Sequence, residues 1–454
     1  MQQQLPVLIF ECANVHAGDA SVLREMIETF GNVSYPNKHI KFQAFHPDTI
    51  SLPDFRAYSL YQELVMPPDV WKDIISIASG FFDGIWLDIF DLYGVDILRE
   101  NQERIYGVKL QASVLENNEV ISALHANNLL SGKTLMLNIS GFDIQSIDHF
   151  IQVFSSLQMR ELILQIGHQA YPTLLKDTGI QKAKVLSEKF PGYRLCIADH
   201  AEGGSEFAMI VPLLGMAAGC SVIEKHICLN RQLAKYDHFS ALELPEMQEL
   251  AERIVVSGDI LYGDFISASE KEYLDKTIQI PVSAHPLKKG TILSLKDLLF
   301  RKTDQPGNTW SQISELQMQR MVLAEDIGEK KTLHINQFRP AHIALLVPAD
   351  YAVDKDAYTI SGMDTIFTTA TTNDQYLNLA RENDLDVVII FNGQMSTASF
   401  DHLSALLEHH FNKGAGCTLD DNHSVIIFTV AALEQLQVPL RELTSSTLQS
   451  AGLN

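Results

Sequence analysis

Eight short apolar runs recur at near-even spacing through roughly the first 260 residues, and no other feature restricts the fold of this chain so tightly. They lie at 7–13, 39–45, 84–90, 106–112, 135–140, 162–167, 194–200 and 221–227. Segments with helical periodicity separate them, at 20–31, 65–80, 95–104, 118–130, 144–157, 173–188, 205–219 and 244–260. Alternation of strand and helix implies βα units and a parallel sheet. Eight such units in this length fit a closed barrel better than an open sheet. The fold class is therefore α/β, with a (β/α)8 barrel over residues 1–263. In such a barrel the chemistry sits at the C-terminal ends of the strands. Polar residues collect there: Glu11, Lys41 with Gln43, Asp88 with Asp91, Lys109, Asn138, Gln165, Asp199 with His200, and Glu224 with His226.

Beyond the barrel the polar stretch 264–277 reads as a linker. Residues 278–339 form a small β-rich domain with an internal echo, a charged turn at Gly290 and a similar one at Gly328. From 340 to 454 the pattern changes to a compact α/β domain, with strands at 343–347, 387–391 and 424–430 and helices at 373–383 and 399–411. A net charge of −22 excludes nucleic acid and anionic membranes as natural partners, since both reward clustered Lys and Arg. It leaves room for a small anionic substrate, because a few lysines reverse the field locally. Five cysteines without CxxC spacing point to a reducing compartment. No apolar run approaches the roughly 20 residues of a membrane span. The start lacks the basic segment of a signal peptide, so a cytoplasmic protein is expected.

His200 and His226 end neighbouring strands, which in a parallel barrel run about 5 Å apart. Two imidazoles there suit one divalent ion, with Glu11 or water completing its shell; the alternative is a pair of hydrogen-bonded rim histidines. Lys41 and Lys109 end strands two and four and converge on the same mouth. Lysines are seldom buried without a partner, so the pair suits an anionic ligand, a phosphate or carboxylate. The alternative is salt bridging to Glu11 or Asp88. Gln43 shares the face of Lys41, and the strand ends Asn138 and Asp199 are further candidate substrate contacts. Gly203 and Gly204 offer backbone N–H groups at a helix start.

These residues carry a resemblance. ECANVHAGD at 11–19, KFQ at 41–43, YGVKLQAS at 106–113, AYPT at 170–173, ADHAEGG at 198–204, VIEKHICLN at 222–230 and YDHFSALELPE at 236–246 follow an order and spacing similar to the sialic acid synthase family. The small domain resembles the antifreeze-like (SAF) domain that follows the barrel in that family. The resemblance implies metal-dependent condensation of phosphoenolpyruvate with an N-acetylated hexosamine-type sugar, giving a sialic-acid-like (nonulosonic) acid and phosphate. It implies Mn²⁺ or Mg²⁺ on His200 and His226, and phosphoenolpyruvate on Lys41 and Lys109. Glu11, Gln43, Tyr171, Glu224 and Asp237 would act as catalytic or positioning groups, in a homodimer.

The chain also departs from the family. Hydroxyl or acidic positions fall on Ala112, Val114, Asn138 and Ala198; a threonine falls on Asp88, an asparagine on Val15, and the SAF arginine on Thr303. Each lost donor to a charged ligand is worth about 1.5–3 kcal/mol. Two functions stay open: the synthase, and a non-catalytic or altered-substrate relative that binds a sugar acid or serves as a scaffold in glycan biosynthesis. The last domain resembles the centre of a spore-coat-polysaccharide-type cytidylyltransferase, but it lacks the glycine-rich loop and has Gln394 at the metal position. A structural or oligomerising role is expected for it.

Overall fold

The structure, a computed structural model, describes residues 5–168, 170, 172–349, 363–391, 403–420, 425–440 and 443. The chain divides into two units, Met1–Phe265 and Ile266–Asn454. In the first, all eight expected strands form: β1 (Val7–Glu11), β2 (Lys38–Ala44), β3 (Gly84–Ile89), β4 (Ile105–Leu110), β5 (Thr134–Asn138), β6 (Glu161–Ile166), β7 (Arg194–Asp199) and β8 (Cys220–His226). They pair in sequence order, and β8 returns to β1 to close a parallel barrel. The β-branched and aliphatic residues of these runs explain the strands; burial of both faces explains why the runs are continuous rather than alternating.

Short polar side chains set where the barrel helices start. Asp19, Asp91, Asn117 and Asp143 each accept a hydrogen bond from a backbone N–H of the helix that follows. Asp91, read from sequence as a strand-end group, is thus a cap; it also accepts from His46 N and Thr49 Oγ1. The helix expected at 65–80 forms as Pro68–Ala78, started by a proline in its first turn, and a further short helix, Tyr58–Leu64, precedes it. Within the segment expected as a linker, 264–277, Ala268–Thr277 is helical, started by a capping box between Ser267 and Glu270.

Alternation along each strand sorts the barrel interior into layers. At the floor, Ile9, Trp86, Met136, Ile163, Cys196 and Val222 pack together. The layer above, two residues further along most strands, is polar: Glu11, Lys41, Asp88, Lys109, Asn138, Gln165 and Glu224, all buried.

In the second unit the echo around Gly290 and Gly328 is a structural repeat. β9 (Ile280–Ser283) pairs with β10 (Leu298–Arg301), and β11 (Met321–Leu323) with β12 (Phe338–Pro340). A short 3-10 turn with a capping box precedes the second strand of each pair, Ser294 with Asp297 and His334 with Gln337. Among the described residues that follow, helices accompany a five-stranded sheet in the order β14-β13-β15-β17-β16, from β13 (Ile343–Pro348), β14 (Asp364–Thr368), β15 (Val387–Phe391), β16 (Cys417–Leu419) and β17 (Val425–Thr429). β13 to β15 are parallel, and β17 is antiparallel to β15 and β16. Gln394 lies outside the described residues.

Candidate active site

The polar layer is a closed ion cluster. The register sets Glu11 beside Lys41 and His226, and Asp88 beside Gln43 and Lys109. The Lys41 ammonium lies 2.8 Å from Glu11, 2.6 Å from Glu224 and 3.6 Å from Asp88. Lys109 lies 2.9 Å from Glu224 and 3.4 Å from Asp88. The two lysines therefore make the salt bridges that were their alternative reading, to both Glu11 and Asp88, and Glu224 bridges them. Neutral amides add further contacts. Gln165 donates to Glu224 at 2.8 Å, Asn138 donates to Gln165 at 3.1 Å, and Gln111 donates to Asp88 at 2.7 Å.

Burial and proximity perturb these groups in opposite senses. Burial, and next the Lys109 charge, push Lys41 down to about 8 against the pull of Glu224. Burial would also lower Lys109, but Asp88 and Glu224 outweigh it and hold that ammonium above its ordinary value. Burial would raise Glu224; Lys109 and Lys41 overcome it and keep the carboxyl well below the usual range.

His200, just past β7, and His226, at the end of β8, are buried with ring centroids 5.0 Å apart and planes at 89°. The Nδ1 of His200 lies 2.9 Å from the His168 carbonyl. Burial pushes His226 down to about 4, against Asp237 and Glu224. Burial, then His226, lowers His200 well below its usual value. Both imidazoles are therefore neutral at neutral pH, the form that ligates metal. Glu11, expected with water as an alternative to complete the shell, spends its oxygens on Ala13 N, Gln43 and Lys41. Among the described residues no group of three or more His, Cys, Asp or Glu side chains is arranged to hold an ion. The donor set fits a metal bound by two imidazoles, with its other positions left to water or substrate.

Above the cluster lies a second polar tier. Asp237 accepts from Asn14 Nδ2 at 2.9 Å and from Asn14 N at 3.2 Å, and Asn14 donates to Gln43. A cavity of about 690 Å³ opens here, lined by Asn14, Gln43, Phe45, Phe55, Tyr61, Phe90 and Ser113. An adjoining one of about 510 Å³ shares Asn14, Gln43, Phe90 and Ser113 and adds Gln111, Ser140, His168 and Asp237. Neither lysine lines either cavity.

The structure thus gathers Glu11, Lys41, Gln43, Lys109, Asn138, Glu224, His200, His226 and Asp237 at one end of the barrel. Asp199 is not among them. It sits one residue out of phase with the inward-facing Ala198, and its carboxylate pairs with buried Lys225 at 2.5 Å and accepts from Ala201 N. Tyr171 lies outside the described residues. The glycine pair is corrected too: the helix starts at Phe207, and Gly203 N donates to the Phe239 carbonyl, so it offers no free N–H. Sequence reasoning passed over Asn14 and Gln111 and gave Gln165 no role. The in–out alternation from Lys109 to Gln111 would have flagged that residue; Asn14 lies on a turn with no such signal.

Comparison with known proteins agrees with this architecture. The N,N'-diacetyllegionaminic acid synthase of Campylobacter jejuni is 23% identical over 324 residues, 66% of this chain and 91% of that protein. Among solved structures, spore coat polysaccharide biosynthesis protein E from Chromobacterium violaceum superposes with a TM-score of 0.63 at 17% identity, covering 74% of this chain and all of that one. The N-acetylneuraminic acid (sialic acid) synthetase of Leptospira borgpetersenii, solved with citrate, superposes with a TM-score of 0.53 at 20% identity, covering 60% of this chain and 91% of that one. Residues 35–262, half of the chain, match the NeuB family, and with the closed barrel and its polar strand ends this chain belongs to that family.

Proposed function

We propose that the barrel makes a sialic-acid-like sugar acid by joining phosphoenolpyruvate to the aldehyde of an N-acetylated amino sugar. The observation that carries this reading is the pair of buried lysines, bridged by Glu224, beside two neutral imidazoles at the strand ends of a NeuB-family barrel. A new bond joins the methylene carbon of the donor to the sugar aldehyde carbon, water adds at the donor's C2, and phosphate leaves. Lys41 and Lys109 hold the donor's anionic groups. Glu224 keeps both ammonium groups aimed at one point. Asn14, Gln43 and Asp237 form the polar wall of the acceptor cavity, and Phe45, Phe55, Tyr61 and Phe90 its apolar wall. His200 and His226 would hold Mn²⁺ or Mg²⁺, which when bound polarises the aldehyde oxygen. The protein acts as a homodimer in this reading.

The test is direct. Protein is mixed with phosphoenolpyruvate, Mn²⁺ and a panel of N-acetylated hexosamines, and phosphate release is followed together with formation of a 2-oxo acid sugar. Absence of both with every acceptor, from protein with an intact far-UV spectrum, sinks the reading. One observation favours a second reading, a non-catalytic sugar-acid-binding protein: both lysines are already neutralised and neither lines a cavity. Acceptor binding by calorimetry without any turnover identifies that case.

A further inference from the structure

Asp88 makes longer contacts with the two ammonium groups than the other carboxylates of the ion cluster make. Glu224 already contacts both lysines at 2.6 and 2.9 Å, and Glu11 contacts Lys41 at 2.8 Å. Asp88 adds a third carboxylate, fully buried, with Oδ2 at 3.6 Å from one ammonium and 3.4 Å from the other. Its Oδ1 is buried and has no hydrogen-bond partner among the described residues. Counted as ionised, three carboxylates face two ammonium groups, and the cluster carries one excess negative charge. Without Asp88 it is neutral. A buried carboxylate with an unpartnered oxygen is costly, so it is not accounted for by stability.

We propose that Asp88 is a specificity-determining residue of the donor site: its carboxylate, 3.6 Å from Lys41 and 3.4 Å from Lys109, adds negative charge beside both ammonium groups and disfavours donors that present a phosphate there. An incoming phosphate meets a like charge that cannot leave, because Asp88 is tethered to a barrel strand and held by Gln111. The penalty grows with the charge of the ligand, so a dianionic phosphate suffers more than a single carboxylate. The site therefore takes phosphoenolpyruvate weakly and tolerates a monoanionic 2-oxo acid better than a phosphate. This rests on the reading of the lysine pair as the donor site, but its test reads binding alone.

Calorimetric titrations with inorganic phosphate, phosphoenolpyruvate and pyruvate at fixed ionic strength compare the unaltered chain with Asp88→Asn and Asp88→Ser. Asparagine keeps the shape and the Gln111 contact while removing the charge; serine also vacates space, and the two variants guard against a folding failure in either one. The expected result is an affinity gain on the order of tenfold or more for phosphate and phosphoenolpyruvate in a folded variant, and a smaller gain for pyruvate. Equal or weaker phosphate binding in folded variants overturns the proposal, as does an equal gain for all three ligands. If the variants bind phosphate tightly yet release none from phosphoenolpyruvate with any acceptor, the synthase reading fails while the role of Asp88 stands.

Discussion

Glu224 contacts both ammonium groups at once, at 2.6 and 2.9 Å, so its removal takes the nearest carboxylate from Lys41 and from Lys109. Deleting one partner of a buried pair costs about 3–5 kcal/mol because the other charge is left uncompensated. Glu224→Gln keeps the volume and leaves Glu11 and Asp88 in place, which sets the expected loss near the low end, about 3 kcal/mol. Urea unfolding measures it; a midpoint unchanged from the parent would show that Glu224 does not carry the lysines. Lys41 gives a second, pH-linked prediction. Burial lowers it to about 8, so its positive charge is present below that value and lost above it. Affinity for an anionic donor is expected to fall as pH rises through about 8, and binding isotherms from pH 7 to 9.5 follow it. A flat profile means that Lys41 is not a donor contact. Much of this was legible in the sequence: charged residues ending one strand after another announced the rim. The pairing was not. Lys109 and Glu224 are 115 positions apart, and only the closed barrel makes them neighbours. Asp199 was misassigned for a simpler reason, because a one-residue change of phase along a strand reverses the face.

At the scale of elements, the barrel floor depends on two glycines inside strands. A Cβ at Gly84 would sit 2.6 Å from the His39 ring, and one at Gly107 would sit 2.5 Å from the Trp86 ring. Those rings fill the interior beneath the ion cluster, where Trp86 Nε1 donates to His39 Nδ1 at 2.9 Å. Gly107→Ala has to push Trp86 aside, and overpacking of this kind costs about 1–3 kcal/mol. The expected signature is a lower melting temperature with a shifted tryptophan emission; unchanged values would place Trp86 elsewhere. The helix Ala268–Thr277 presents the opposite case. It buries no residue, and a ten-residue helix without tertiary contacts is marginal in water. Trypsin is expected to cut first at Lys271 or Lys276, and first cuts inside Met1–Phe265 would contradict this. Its polar composition made this segment read as a linker. The Ser267–Glu270 capping box was present in the sequence as a helix signal, but it counts for little where no apolar stripe accompanies it.

For the whole molecule, buried neutral histidines make the native state sensitive to acid. His16 and His39 are almost fully buried, and burial pushes each from 6.5 down to about 4 against the pull of nearby aspartates. In both, Nδ1 already accepts a hydrogen bond, from Gly18 N and from Trp86 Nε1, so a proton at Nδ1 would break a native contact. Between pH 6.5 and 4 the unfolded chain binds protons at these positions and the native chain does not. Stability therefore declines as pH falls through that window, and it is fully present above about 6.5. A shift of this size is worth roughly 3 kcal/mol per histidine once the unfolded group is fully protonated. Two such groups, with His226 lowered similarly, are comparable to the total stability of a typical domain, about 5–15 kcal/mol. Acid unfolding of the barrel is thus expected near pH 4–5, ahead of protonation of Glu224, which stays ionised well below that range. Urea unfolding at pH 7.5, 6, 5 and 4.5 measures the slope, and His39→Gln, which keeps an acceptor for Trp86, is expected to reduce it. Stability that stays level down to pH 4.5, or a slope that His39→Gln leaves intact, would assign the acid response to other groups.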